Sequence, residues 1–164
     1  MDIKLKLFKK KNISERWINW INNEKTNMYS ERKHSKHTIP SQKKWFDIQN
    51  KNGNLIFGIF YKNEHIGIID IKLISKEHKN CEIGYFIGNK TNWKKGIGSK
   101  AVELVCDYIK KKLKLKKVVA HTYENNIASQ KILIRNKFKK EGEIKNFYKF
   151  KKKRISKIYF GKNL

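Results

Sequence analysis

Gly96 and Gly98 stand one residue apart where an apolar run passes into a helical one, and their chemistry is the easiest in this chain to name. Glycines at a helix start let a ligand approach the backbone, and the unpaired N–H groups of that first turn, aided by the helix dipole, attract an anion. A pyrophosphate would fit there, although the same spacing also makes an ordinary tight turn. Glu82 is the second such residue, an acid within the otherwise apolar run Cys81-Glu82-Ile83-Gly84-Tyr85-Phe86-Ile87. Burial there would raise its pKa toward that of a working general base, whereas a solvent-facing position would not, and alternation alone leaves both open. Tyr148 is a second candidate for the same proton. His34 and His37 have an H-x-x-H spacing with no third ligand in view, so no metal site is expected. His65, His78 and His121 stand alone and read as structural or exposed.

The elements that must position these residues follow from periodicity. Ile3, Leu5 and Leu7 alternate with lysines, the period of a half-buried strand. Ser14 can cap a helix carrying Trp17, Ile18, Trp20 and Ile21, and Thr38 with Pro40 opens another carrying Trp45, Phe46 and Ile48. The stretch 24–37 between them has no clean period. Residues 55–61 and 65–74 are β-rich and read as a hairpin turning at Lys62, Asn63 and Glu64. A strand is predicted over 81–87, a helix over 97–113, a strand over 118–123, a short helix over 127–136, and a closing β pair near 138–150 and 154–160. Tyr148 falls on that closing hairpin.

The chain has 164 residues, enough for one good core, and a single domain over 1–164 is expected. Its 38% hydrophobic content with 12% aromatics is too apolar for a disordered protein. No run is long and apolar enough to span a membrane, and MDIKLKLFKKK lacks the apolar centre of a signal peptide, so a cytoplasmic location is expected. Cys81 and Cys106, its only cysteines, read as reduced core thiols. The 40 Lys and Arg against 14 Asp and Glu suggest a polyanionic partner, but only Arg16, Arg32, Arg135 and Arg154 are arginine, and the lysine clusters touch every segment. A compositional bias explains that spread. Nucleic acid is therefore not the expected partner, although attraction to nucleotide phosphates remains open.

A second block, Tyr123-Glu124-Asn125-Asn126-Ile127-Ala128-Ser129, continues to Asn136-Lys137-Phe138 and Glu141-Gly142. Together with the strand, loop and glycines before residue 97, it resembles the GNAT superfamily of N-acetyltransferases, and within it the ribosomal-protein N-acetyltransferase branch. The resemblance spans roughly residues 54–160. It implies an α/β (α+β) fold with a mixed, mostly antiparallel sheet of about seven strands, flanked by helices and splayed beside Gly88 to admit acetyl-CoA. The resemblance makes acetyl-CoA the cosubstrate, with no metal. Its pyrophosphate would be held by backbone N–H groups of Lys94, Lys95, Gly96, Ile97, Gly98 and Ser99, and its arm would run beside Asn126 and Lys131. In such enzymes, backbone near Phe86 and Ile87 polarises the thioester carbonyl, and Ser129 donates a hydrogen bond to the departing sulfur. Two departures stand out. Trp93 replaces the usual Gln or Arg before the first glycine, and Leu133 occupies the place where many members carry a tyrosine that protonates the thiolate. Ser129 could instead bond its own backbone.

The acceptor in this superfamily is an amine that must lose a proton before it attacks, which assigns Glu82, or else Tyr148, as base. The segment Met28-Tyr29-Ser30-Glu31-Arg32 to His37-Thr38, followed by Gln42 and Trp45-Phe46, is similar to the front half of amino-sugar N-acetyltransferases from surface-polysaccharide gene clusters. That similarity makes Tyr29, Arg32 and His37 candidate substrate contacts and a nucleotide-linked amino sugar the expected acceptor. Acetylation of a protein N-terminus is the alternative, and a nonenzymatic RNA-binding module is the alternative of another class, with a homodimer left open. Against RNA stands the lack of an arginine-rich or repeated aromatic stripe.

Overall fold

Residues 55–61 and 64–75 are apolar almost without interruption because the strands they form are buried on both faces, as the middle strands of a helix-covered sheet must be. The computed structural model describes residues 1–164. Seven strands, β1 Ile3–Leu7, β2 Leu55–Tyr61, β3 Glu64–Ser75, β4 Asn80–Ile87, β5 Lys117–Tyr123, β6 Lys139–Phe150 and β7 Lys153–Asn163, make one sheet in the order β1-β2-β3-β4-β5-β7-β6. Its helices are α1 Glu15–Asn22, α2 Glu24–Asn27, α3 Ile39–Lys51, α4 Ile97–Tyr108 and α5 Ile127–Arg135. The expected seven-stranded mixed sheet with flanking helices is the observed architecture.

Alternation divides the apolar side chains between two cores. Ile59, Ile69, Ile71, Ile83, Val118 and Ala120 pack against Ala101, Val102 and Val105 of α4 and Leu133 of α5. On the other face Ile56, Ile68 and Phe86 meet Trp17, Ile18 and Ile21 of α1 and Phe46 of α3. Cys81 and Cys106 are free thiols in the first core, and burial pushes them up to about 12 and about 11, so both stay protonated. Helix starts match their sequence signals. Ser14 Oγ accepts from Trp17 N, and Thr38 with Ser41 forms a reciprocal cap ahead of α3. The stretch 24–37, without a period in the sequence, folds as the single turn α2 and a 3-10 turn at Glu31–His34.

One strand pair decides the shape of the middle of the sheet. β4 and β5 are parallel and pair only at Asn80↔Lys117, Cys81↔Val118 and Glu82↔Val119. Beyond Glu82 and Val119 the two strands diverge into a wedge, while β5 stays bonded to β7 as far as Tyr123↔Lys157. β4 ends just before Gly88, where any Cβ would lie 2.2 Å from the Trp20 ring, so this glycine lets α1 seat against the strand end.

The helical front layer is locked by a buried glutamine. Gln42 Oε1 accepts from Trp17 Nε1 (3.3 Å) and from the Arg32 guanidinium (2.8 Å), while Gln42 Nε2 donates to His37 Nδ1 (3.1 Å). His37 then donates from Nε2 to the Arg32 carbonyl (2.8 Å), and the guanidinium lies over Trp45 at 4.3 Å. Apolar replacement of one hub would strand three polar groups at once, and such groups are expensive to leave unpaired. Gln42→Leu should therefore lower unfolding free energy by about 2–4 kcal/mol, measured by urea denaturation. A loss within error of zero would show that the network carries no stability.

Candidate active site

The wedge between β4 and β5 is walled by backbone that has lost its sheet partner. Gly88 N donates to Ile66 O (2.9 Å), which sets the phase of the antiparallel ladder with β3. By alternation, the amides of Gly84 and Phe86 face β3, and those of Tyr85 and Ile87 face the wedge. Of the two expected carbonyl-polarising positions, Ile87 has the right orientation and Phe86 does not. Phe86 instead turns its ring into the front core, edge-on to Trp17 at 6.0 Å.

At the mouth of the wedge, Trp93 Nε1 donates to Ile87 O (2.8 Å) and pins the loop that leads into α4. Gly96 caps that helix at φ +78°, and Lys94 precedes it at φ +61°, so the chain curls before entering the helix. Because the first intrahelical bond is Lys100 N to Gly96 O, the amides of Ile97, Gly98 and Ser99 have no backbone partner. Lys94 and Lys95 are exposed beside them. This corner suits an anionic group. Gly98 serves a second purpose that its spacing did not reveal: a Cβ there would lie 2.9 Å from Ile132 Cδ1, so its bareness lets α4 and α5 touch. Ser99 presents its free N–H, while its carbonyl and hydroxyl both accept from Asn136 Nδ2. Asn126 Oδ1 caps α5 by accepting from Ser129 N, and Lys131 is exposed on the same helix.

Ser129 does not bond its own helix through its hydroxyl. Its Oγ lies 2.7 Å from the hydroxyl of Tyr85, a residue on the unpaired part of β4, so the pair bridges the wedge wall to α5. Burial pushes the Tyr85 phenol above its ordinary range, and it stays a neutral donor. Leu133 is fully buried in the core and offers the site nothing. Tyr85 was legible only as one more apolar-strand aromatic, because its partner comes from a helix far along the chain.

On the front face, a cavity of about 350 Å³ opens over β5, β6 and β7. Tyr123, Phe147 and Tyr148 form its aromatic walls, and Glu31, His34, His121, Lys149 and Lys157 its polar ones. Tyr148 reaches it because β6 bulges, Lys145, Asn146 and Phe147 standing opposite Ser156 alone. On the other side of β7, at the end of β5, Ser156 N donates to Glu124 Oε2 (2.7 Å) and Ser156 O accepts from Glu124 N (3.0 Å).

The expected raising of Glu82 is reversed. Burial does push its carboxyl up, but contact with His121 and the charge of Lys72 outweigh it and hold the group down at about 2. Its Oε1 lies 3.2 Å from Lys72 Nζ and 3.1 Å from His121 Nδ1, the latter at an angle too oblique for a full hydrogen bond. A carboxylate held that acidic is a poor proton acceptor. The acid whose burial does prevail is Asp70 of β3, raised despite Lys72 and Arg32, with an Oδ1 that has no partner. The Tyr148 phenol is pushed up to about 12 by burial and then by the Glu31 charge, and it stacks flat on Tyr123 at 3.9 Å.

The front-layer candidates separate. Arg32 and His37 are consumed by the Gln42 network, and burial lowers the Arg32 guanidinium to about 10, so both are struts and not free contacts. Tyr29 stacks on Phe150 at 5.6 Å and donates to Asn125 O, behind the cavity wall. The residue of that segment that does line the cavity is Glu31, whose carboxylate accepts from the Tyr123 hydroxyl. His34 lies 3.8 Å from the same carboxylate, so the H-x-x-H pair is divided between two tasks.

The family model for the acetyltransferase (GNAT) domain matches residues 4–139. An uncharacterized N-acetyltransferase of Bacillus licheniformis, p20, is 34% identical over 106 residues, 63% of this chain and 59% of that protein. A probable N-acetyltransferase of Bacillus subtilis, YjcK, is 36% identical over 89 residues, 52% of this chain and 49% of that protein. The chain thus matches less than two thirds of the length of these relatives. Among solved structures, the spermidine N-acetyltransferase of Vibrio cholerae in complex with CoA and spermine has a TM-score of 0.87 at 16% identity, covering 98% of this chain and 95% of that one. The ribosomal L7/L12 alpha-N-protein acetyltransferase RimL, in complex with coenzyme A, has 0.87 at 16%, covering 99% and 94%. The microcin C7 self-immunity acetyltransferase MccE, in complex with acetyl-CoA and AMP, has 0.82 at 23%, covering 99% and 92%. At these identities the structural likeness establishes the fold.

Because Glu82 titrates at about 2 in the folded protein against an ordinary 4.5, it stabilises the fold above pH 4.5 and loses that contribution as pH falls through about 2. The wild type should lead Glu82→Gln in stability by about 3 kcal/mol more at pH 7 than at pH 2. Urea titrations across that range check it, and a difference independent of pH would mean that Glu82 is not held ionised by His121 and Lys72.

Proposed function

The chain belongs to the acetyltransferase (GNAT) domain family, and from that premise we propose that it transfers the acetyl group of acetyl-CoA to a primary amine carried by a nucleotide-linked sugar. The observation that carries the transfer reading is the wedge. It leaves the N–H groups of Tyr85 and Ile87 facing the gap, with the unpaired amides at the start of α4 following in the chain and the front cavity built on β5 beyond its last pair with β4. Acetyl-CoA supplies a thioester carbonyl when bound. The α4 amides with Lys94 and Lys95 hold phosphate, the Ile87 and Tyr85 amides stabilise negative charge on the carbonyl oxygen, and Ser129, backed by Tyr85, offers a proton to the leaving sulfur.

The acceptor reading rests on the cavity. Its aromatic walls can stack a base or sugar face, and Lys149 and Lys157 at its rim suit a diphosphate. Lys157 is held there over Phe147 at 5.1 Å and Tyr159 at 4.8 Å. A protein of the same fold is known with acetyl-CoA and AMP together, which is consistent with a nucleotide in the acceptor region. A polyamine or basic peptide would meet a formal net charge of +26 and be repelled. The Glu31 carboxylate favours a cationic amino group, which keeps a protein N-terminus as the second reading.

Thiol release from acetyl-CoA should be faster with a UDP-linked 4-amino-deoxysugar than with ribosomal N-terminal peptides or spermidine, and the advantage should shrink as salt shortens the Debye length below about 10 Å. Peptide or polyamine turnover without sugar turnover would overturn the acceptor assignment. For the cofactor corner, a Lys94→Glu, Lys95→Glu double variant should melt like the wild type yet bind acetyl-CoA about tenfold more weakly. Equal thermal stabilisation of both proteins by acetyl-CoA would remove the phosphates from this corner.

A further inference from the structure

We propose that His121 is the general base that deprotonates the acceptor amine, with Glu82 as the residue that orients it. The inference rests on the acetyltransfer reading but not on the identity of the amine. His121 lies on β5 two positions past Val119, the last residue paired to β4, so it stands on the wall of the wedge and faces the cavity. Its Nδ1 is turned inward to Glu82 Oε1 at 3.1 Å and is closed to solvent, which leaves Nε2 as the ring nitrogen available to the cavity.

The other polar groups of the cavity are excluded one by one. Tyr123 and Tyr148 are phenols held protonated, the first by burial and by donating to Glu31, the second by burial and the Glu31 charge. Glu31 is committed to the Tyr123 hydroxyl, and His34 lies on the exposed rim beside it. Glu82 itself, paired to Lys72, keeps its charge and so can hold a proton on Nδ1 and balance an imidazolium once formed. The charges facing the ring are of both signs: Glu82 on β4 and Glu31 on the 3-10 turn against Lys72 on β3, Lys149 on β6 and Lys157 on β7, with the neutral Tyr159 ring 5.9 Å away.

In the step assigned to it, Nε2 takes a proton from the ammonium of the acceptor, freeing the nitrogen lone pair. That pair forms the C–N bond at the acyl carbon, and the C–S bond breaks with its electrons passing to sulfur. The new amide nitrogen sheds a second proton, the sulfur gains one through Ser129, and the imidazolium returns its proton to solvent. The sum is ammonium plus acetyl thioester giving amide, thiol and one proton.

Two measurements on the full chain test this. Long-range 1H–15N histidine spectra of the acetyl-CoA complex, assigned by comparison with His121→Asn, should show neutral His121 protonated on Nδ1, and Glu82→Gln should weaken that preference. A proton on Nε2 in the wild type would overturn the proposal. In the second, the acid limb of the kcat/KM profile should disappear in His121→Asn while kcat falls about 10²-fold and the KM for acetyl-CoA holds. The amine in these assays is whichever of the UDP-amino sugar, peptide or spermidine is turned over, and water where none is. Persistence of the limb in His121→Asn, or its loss in His34→Asn instead, would overturn the assignment. If the wild type releases no thiol with any amine or with water, the acetyltransfer reading falls and the base falls with it. Turnover of a peptide alone overturns only the acceptor.

Discussion

The parallel pairing of β4 with β5 lasts for three residues and then ceases, and the site is built on that break. A parallel ladder that continued would satisfy the amides of Tyr85 and Ile87 and close the gap between the strands. The break is not fraying of β5, which stays bonded to β7 over its whole length. It is a divergence of two strands each held on its outer side, β4 by β3 and β5 by β7, so the unpaired backbone between them is fixed in place and available to a ligand. Preorganised N–H groups of this kind stabilise developing charge without having to reorient.

Charge is organised around the break in a way that total composition conceals. Most lysines are solvated, but Lys72 lies against Glu82, Lys33 lies over Tyr123 at 4.6 Å, and Lys157 lies over two aromatic rings. Lys72 is positioned by its ion pair, and Lys33 and Lys157 by the aromatic faces beneath them. Glu82 in turn shows how burial and pairing compete: desolvation alone would push its carboxyl up, and contact with His121 together with the charge of Lys72 reverses the outcome. Asp70, further from a compensating charge, goes the other way.

Much of this was legible in the residues. The two-faced burial of β2 and β3, the caps at Ser14 and Thr38, and the strand, glycines and helix around Gly96 all follow from local patterns whose periods are those of the elements themselves. The stretch 24–37 was opaque because its turns are single and capped by Asn23 and Ser30, too short to show a period, and Gln42 from outside it ties Arg32 and His37 to Trp17. Tyr148 was visible as a candidate, but its inward turn depends on a bulge that puts three residues of β6 against one of β7, and no period announces that.

The sequence by itself determined the order of strands and helices and the glycine-marked start of α4, because each of these is a local run whose spacing carries its own geometry. Tertiary structure alone decided the surroundings of each titratable group. Proton affinity depends on neighbours brought together from strands distant in the chain: Glu82 meets Lys72 and His121 across the sheet, and Ser129 meets Tyr85 across the wedge. A histidine that looked solitary in the sequence therefore becomes half of a pair, and an acid whose burial alternation left open becomes its counter-charge.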